Sequence, residues 1–309
     1  MNMRFLIFSL LLLSLFGCGN GGGTANQMNE GELKLGVDNS YSLLMQSIIP
    51  VYENTYNKAH VIATYASEEE ILRKLYADSI QEAILSRPLT EEELNYFKSQ
   101  KKFPEQLKIA VDAIAFIVHP ENPDTVFTIK QIEEVMAGRI NTWSGIQSGN
   151  STGEIRVVFP ESGSGERRYV KESILKNAAE PSNLAVKNVN ELIDYVAQNK
   201  GAIGVISGAW ISDEEDQVSQ DFRGKIKIIR VIDSTNVVDP RKPFGPAMGY
   251  IAMKEYPYRR DVWAIRTGLT GSVATHFLSF LANEDGQRIV RTMGMVPVKM
   301  DIRLIQIKE

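Results

Sequence analysis

The chain is poor in the residues that most often carry reaction chemistry. Its 309 residues include one cysteine, Cys18, and three histidines, His60, His119 and His276. A single thiol excludes a disulfide framework and any cluster of cysteine ligands. The histidines stand in unrelated contexts without His-x-x-His or His-Glu-x-x-His spacing, so no metal centre is expected. Gly163-x-Gly165 does not run on into the Lys-Ser/Thr pair of a nucleotide loop, and Ser164 lacks a Gly-x-Ser-x-Gly elbow. With no nucleophile–base pair and no metal set, neither an enzyme nor a cofactor is expected. A basic excess is missing too: 34 Lys and Arg stand against 38 Asp and Glu, a net charge of −4, which argues against nucleic acid as a partner. Trp143, Trp210 and Trp263 stand singly rather than as a sugar-stacking series, and no internal repeat is visible.

Only the first residues form a long apolar run. Met1 to Arg4 is a short positive start, Phe5 to Phe16 is an apolar core too short for a comfortable membrane span, and Leu15-Phe16-Gly17-Cys18 follows at once. This reads as a lipoprotein signal over residues 1–17, with Cys18 lipidated and becoming the new N-terminus. Residues 18–30, rich in Gly, Asn and Gln, suit a flexible tether. Loss of Arg4 takes the net charge to −5. Without a polybasic segment, membrane attachment rests on the lipid at Cys18 alone.

The remaining chain is long enough for two packed lobes. Strand-like runs lie at Leu33–Val37, His60–Tyr65, Ala83–Leu85, Lys108–Val118, Ile155–Phe159, Ala202–Ile206 and Lys225–Val231. Helical spacing marks Ser42–Asn57, Glu68–Ala77, Thr90–Lys98, Ile129–Ala137, Arg168–Lys176 and Asn188–Ala197, and two more helices lie near the end, Ser272–Ala282 and Asp285–Thr292. The alternation predicts an α/β architecture with mainly parallel sheets, in a soluble, monomeric body.

The turn Pro160-Glu-Ser-Gly-Ser-Gly-Glu166 lies between a strand-like and a helix-like run. Such a turn aims backbone N–H groups and hydroxyls at a helix N-terminus, where the dipole favours negative charge, and so can wrap a small oxyanion. It can equally be a plain helix cap. Two further strand-to-helix turns, Asp38-Asn39-Ser40 and Ser86-Arg87-Pro88, carry the same pair of readings. Arg168 either points inward to an anion or pairs with Glu172 one turn on. Glu166 either accepts a proton's hydrogen bond from the ligand or faces solvent and complements the helix dipole.

Several segments occur in one order. They are Lys34 to Pro50; Ser86-Arg-Pro-Leu-Thr90 with Glu92; Val111 to Ala115 leading to Asn122-Pro123; Gly138 to Trp143; Gly201-Ala-Ile-Gly204; and Gly286-Gln287 with Gly294-Met-Val-Pro297. In this order and spacing the chain resembles the PstS-like phosphate-binding proteins of ABC importers over nearly all of its mature length, and among them the lipoprotein members of the Bacteroidetes. The resemblance implies a periplasmic, type II periplasmic binding protein fold: two α/β lobes with the ligand cleft between them. Residues 31–115 and 246–309 would build the first lobe and 116–245 the second. It further implies that the ligand is phosphate or a similar oxyanion, delivered to ABC permease subunits in the inner membrane. The ligand contacts it implies are Asn39, Ser40, Ser86, Arg87, Ser162, Gly163, Ser164, Gly165, Glu166 and Arg168. The chain departs from the family pattern Arg-x-Asp-Gly-Ser-Gly-Thr by carrying Pro160, Ser162 and Glu166 at the Arg, Asp and Thr places. The acidic residue that takes the phosphate proton also falls at Ser86. A non-transport role, as a sensor or an accessory envelope lipoprotein with an altered anion cleft, is the alternative.

Overall fold

Residues 29–178, 184–212, 215–236, 239–268 and 270–299 are described in the computed structural model; the signal, Cys18 and most of the tether lie outside them. The strands are β1 (Gly31–Asp38), β2 (Ala59–Ala66), β3 (Glu82–Leu85), β4 (Glu105–Val118), β5 (Val126–Thr128), β6 (Arg156–Phe159) and β7 (Leu184–Ala185), then β8 (Ala202–Ser207), β9 (Lys227–Ile228), β10 (Arg230–Ile232), β11 (Pro243–Phe244), β12 (Arg259–Arg266) and β13 (Val296–Pro297). The main sheet runs β2-β1-β3-β12-β4-β8-β6-β7, with β9 and β13 also paired to β4; β11-β10-β5 form a small second sheet.

Its two ends are parallel and its centre is not. β1 pairs with β2 and β3 in parallel, as β6 does with β7 and β8, whereas β12 is antiparallel to both β3 and β4, and β4 is antiparallel to β8. The expectation of mainly parallel sheets is therefore corrected to a mixed sheet. The reason is β12, whose sequence Arg-Arg-Asp-Val-Trp-Ala-Ile-Arg carries too much charge to read as a strand, although Arg260, Val262 and Ala264 all face the interior. Two smaller corrections follow. The stretch at Lys225–Val231 is split into β9 and β10, and the helix placed at Arg168 starts at Gly165 and passes into a wide turn over Val170–Ile174.

β4 belongs to both ends of the sheet. Glu105–Ala113 pair with β12, and Ile114–Val118 pair with β8. From Ile109 to Val118 every residue is buried, the continuous apolar pattern of a strand covered on both faces. On one side of the crossing, the helices Ser42–Thr55 and Val273–Ala282 cover β1 and β12 through Leu44, Ile48, Tyr52 and Phe277. On the other, Phe116, Phe127, Trp143 and Phe159 fill a second core. Helix starts are set locally: Thr90 with Glu93 and Thr128 with Gln131 form reciprocal capping boxes.

One buried acid in this framework has no part in the site. Glu82, at the start of β3, is fully buried with neither carboxylate oxygen hydrogen-bonded among the described residues. Burial pushes its pKa well above the usual range, against the attraction of Arg266 and with help from Glu105. A carboxyl whose folded pKa is raised holds its proton in the native state, so its stabilising contribution is complete below the unfolded value, about 4.3, and is lost as pH rises through the folded one. Glu82→Gln should therefore raise stability at pH 8 by about 1 kcal/mol or more and flatten the alkaline decline. Urea unfolding at pH 5 and pH 8 checks this; equal slopes with pH in both proteins would show that Glu82 is ionised in the fold.

Candidate functional site

Three strand-to-helix turns converge beside the point where β4 crosses between the two halves. After β1, Asp38 Oδ1 accepts from the backbone N–H of Ser40 at 2.9 Å and lies 2.9 Å from its hydroxyl, closing one tight turn of helix before Ser42. After β3 comes Ser86, 4 % exposed. From the other half, Ser164 caps the short helix Gly165–Tyr169 by accepting from the Arg167 backbone N–H at 3.3 Å. Gly165 sits at the centre of the arrangement. A Cβ there would lie 2.6 Å from Ser86 Oγ, 2.7 Å from Asp38 Oδ2 and 3.2 Å from Glu68 Oε2, so only glycine lets this helix N-terminus reach the first half.

Carboxylates tie the two halves together. Ser40 Oγ donates to Glu166 Oε1 at 2.6 Å, and the Asn39 amide donates to Glu161. Arg168 donates through Nε to Glu68, through Nη2 to Ser86 Oγ at 2.8 Å, and through Nη1 to Glu172 at 2.7 Å. Both readings of Arg168, inward and paired with its own helix, thus describe one side chain. Ser86 Oγ in turn donates to Glu68. Glu166 is 2 % exposed, which overturns the solvent-facing reading. Arg260, from β12, lies 5.3 Å over the Tyr41 ring and donates through Nε to Asp112 Oδ2 at 3.0 Å and through Nη2 to Glu166 Oε1 at 3.2 Å.

Four buried acids, Asp38, Glu68, Asp112 and Glu166, thus surround two arginines. The imbalance falls on Asp38. Burial raises its pKa well above the usual range, with Glu166 and Glu68 adding to the rise and Arg260 opposing it. Geometry agrees: Ser40 has one hydroxyl hydrogen for two carboxyl neighbours, its contact to Glu166 is the shorter, and Asp38 Oδ2 is buried without a partner. Asp38 is the acid that keeps a proton. Burial also works to raise Glu68, but the charge of Arg168 and the hydrogen bonds from Arg168 and Ser86 outweigh it and hold Glu68 below the usual range.

Of the expected contacts, Asn39, Ser40, Ser86, Ser164, Gly165, Glu166 and Arg168 are brought together. Arg87 stands beside them with its Nε 3.8 Å from Glu68, while its fork is held bidentate by Glu93 at 2.6 and 2.7 Å, the same acid that closes the capping box at Thr90. Ser162 is exposed on the rim, and Gly163 meets the first half through its carbonyl, which accepts from the Glu69 N–H at 3.2 Å. The sequence reading passed over Arg260, Asp112 and Glu68. Glu68 is one of three consecutive acids opening a helix, a pattern that ordinarily signals dipole complementation. Arg260 belongs to no motif and Asp112 lies in the Val111–Ala115 segment with nothing to mark its partner; only the antiparallel pairing of β12 with β4 sets them side by side.

Around the closed contact the space between the halves is open on two sides. A cavity of about 270 Å³ is lined by Ser40, Gln46, Tyr65, Glu166, Asn190 and Trp210, and one of about 470 Å³ by Glu68, Arg87, Ser162, Ser164 and Arg168. What converges chemically is a set of donors: a helix N-terminus, hydroxyls and two guanidinium groups, of which Ser40, Ser86, Arg168 and Arg260 are already engaged by carboxylates of the protein itself.

Residues 22–285 match the family described as the PBP superfamily domain. The chain belongs to the PBP superfamily. Within it, the phosphate-binding protein PstS of Borreliella burgdorferi is 22% identical over 303 residues, spanning 95% of this chain and 98% of its own. Two solved structures of the superfamily share the fold, each at 20% identity and each covering 87% of this chain and 100% of the other. One is a substrate-binding protein from Clostridium perfringens with bound phosphate, TM-score 0.68; the other is an ABC-type phosphate transport receptor from Vibrio cholerae, TM-score 0.63. The two halves described above are accordingly the two α/β lobes of a type II binding protein fold, and the turns at Ser40, Ser86 and Gly165 meet at the mouth between them.

Proposed function

We propose that this PBP superfamily protein is the solute-binding component of an ABC importer and takes phosphate or a similar oxyanion between its lobes. It binds rather than catalyses, acts as a monomer, is tethered outside the cytoplasm through a lipid on Cys18, and hands its ligand to permease subunits. Among the described residues, 31–115 and 259–299 form the first lobe and 116–258 the second, since Ile251, Tyr256 and Tyr258 pack in the second core. The observation that carries this reading is the convergence of Ser40, Ser86, Arg168 and Arg260 from both lobes on the helix N-terminus at Gly165. An anion touching donors of both lobes favours the closed state over the open one, the differential affinity that hinge closure requires. The relative named PstS and the neighbour with bound phosphate support phosphate as the anion.

Glu166 holds Ser40 and Arg260, so an entering oxyanion takes these donors from it. Phosphate keeps a proton near neutral pH and sulfate does not, and a displaced carboxylate accepts that proton's hydrogen bond. Calorimetric titration of the purified protein with phosphate, sulfate and molybdate tests the proposal. Phosphate should bind and sulfate should be at least about tenfold weaker, while Glu166→Gln, which offers N–H donors in place of lone pairs, should narrow that gap. No heat with any of the three would remove the transport reading. It would leave the second one, a sensor or accessory lipoprotein, which the filling of the cleft by Glu166 favours. An unchanged phosphate-to-sulfate ratio in Glu166→Gln would eliminate the proton-acceptor role.

A further inference from the structure

Behind the Gly165 contact, on the side of β12, lies a separate cleft of about 600 Å³ whose wall carries Arg87, Lys108, Arg168, Lys254, Arg259 and Arg260. Against these six cations it has one acid, Asp261, which pairs with Lys108 at 2.6 Å. Arg87 and Arg168 are committed to Glu93 and Glu68, and Arg260 to Asp112 and Glu166. Lys254 and Arg259 make no salt bridge among the described residues. Three residues of β12 that line this cleft each carry a donor buried without a hydrogen-bond partner among the described residues: Arg259 Nε, Arg260 Nη1 and Trp263 Nε1. A buried donor left unmade costs free energy, and three in one five-residue stretch of strand beside one basic cavity call for an acceptor.

We propose that this cleft is a second anion site, distinct from the one at Gly165, for a compound carrying two or more linked phosphoryl groups. Size and charge both point there. The volume lies within the roughly 300–1,000 Å³ of small-ligand pockets and far exceeds what one tetrahedral oxyanion fills. Cations spread around a concave, partly desolvated wall concentrate negative potential, and guanidinium forks match phosphoryl oxygens two at a time. Ser86 and Arg168 border both this cleft and the Gly165 contact, so a linked diphosphate can lie along β12 on the far side of that contact.

Pyrophosphate is the probe, with orthophosphate kept in excess to fill any single-phosphate site. Calorimetry and tryptophan fluorescence of the purified protein should show pyrophosphate binding that survives the orthophosphate, and Trp263→Phe should abolish the fluorescence change. A double variant, Lys254→Ser with Arg259→Ser, should weaken pyrophosphate about ten- to a hundredfold. It should leave orthophosphate affinity within about twofold, since neither side chain reaches the Gly165 contact. Arg259→Lys should recover part of the loss, which a mere packing role for Arg259 would not predict. Pyrophosphate displaced one for one by orthophosphate, or bound equally by the double variant and the parent, would overturn the second site. If orthophosphate fails to bind while pyrophosphate still responds to the double variant, the second site stands and the reading of the Gly165 contact falls.

Discussion

Arg260→Ala should destabilise the protein by about 3–5 kcal/mol, the cost of leaving buried carboxylates without their counter-charge. Arg260 is itself 4 % exposed, lies against Tyr41, and is the cation shared by Asp112 and Glu166. Asp112 is bound on its other side by Ser207 Oγ at 2.7 Å and by the Ala209 N–H at 3.2 Å, so it has no route to solvent when the arginine goes. Urea unfolding measures the loss. The double variant Arg260→Ala with Glu166→Gln should recover part of it, because one of the stranded charges is then gone. Arg260→Lys should recover less than its charge suggests, since an ammonium does not reproduce the planar fork that reaches both acids. A loss below about 1 kcal/mol would show that the two acids do not depend on Arg260 for their burial.

Gly165→Val should hold the lobes apart. The first carbon of any side chain at this position meets Ser86, Asp38 and Glu68, and the branched valine adds two methyl groups to a space that has no room for one. The turns on either side belong to separate lobes, so separating them relieves the clash more cheaply than repacking the short side chains at the ends of β1 and β3. Scattering should show a larger radius of gyration than the parent, and phosphate affinity should fall by at least about a hundredfold, some 2.7 kcal/mol. Thermal unfolding should stay cooperative, because each lobe keeps its own core. An unchanged radius with affinity within about twofold of the parent would show that the helix N-terminus withdraws without lobe motion.

Legibility in the sequence followed the physical signal each element carries. β1, β3, β8 and the buried end of β4 are apolar runs next to turn residues, and the helices capped by Thr90 and Thr128 announce their own starts. The Ser/Gly turn was readable because glycine and serine in that order have few backbone uses. β12 was not, because an arginine that faces the interior looks like an arginine that faces water until its acid partners are located. The same holds for Glu68 and Glu166. Each is an acid in the first turn of a helix, where surface acids are common, and only the approach of the opposite lobe takes them out of solvent. For Arg87 the sequence did not reveal its partner: six residues on, Glu93 offers it two oxygens in the fork geometry guanidinium prefers.

β4 carries a consequence for how the chain acquires its structure. Nine of its residues, Glu105 to Ala113, complete one end of the sheet, and the next five, Ile114 to Val118, template the other. Its partner β12 arrives only after about 140 further residues have been made, with Arg260 registered against Asp112. The second lobe closes its ladder from the contiguous stretch after Ile114, but the first cannot, and the loop to be closed before β12 rewards the pairing is long. The first lobe therefore waits for the second. A fragment ending anywhere between β4 and β12 presents the unpaired edge of a long apolar strand, the kind of edge other chains readily add to, so the two lobes are expected to be a single unit in biosynthesis although they are two bodies in motion.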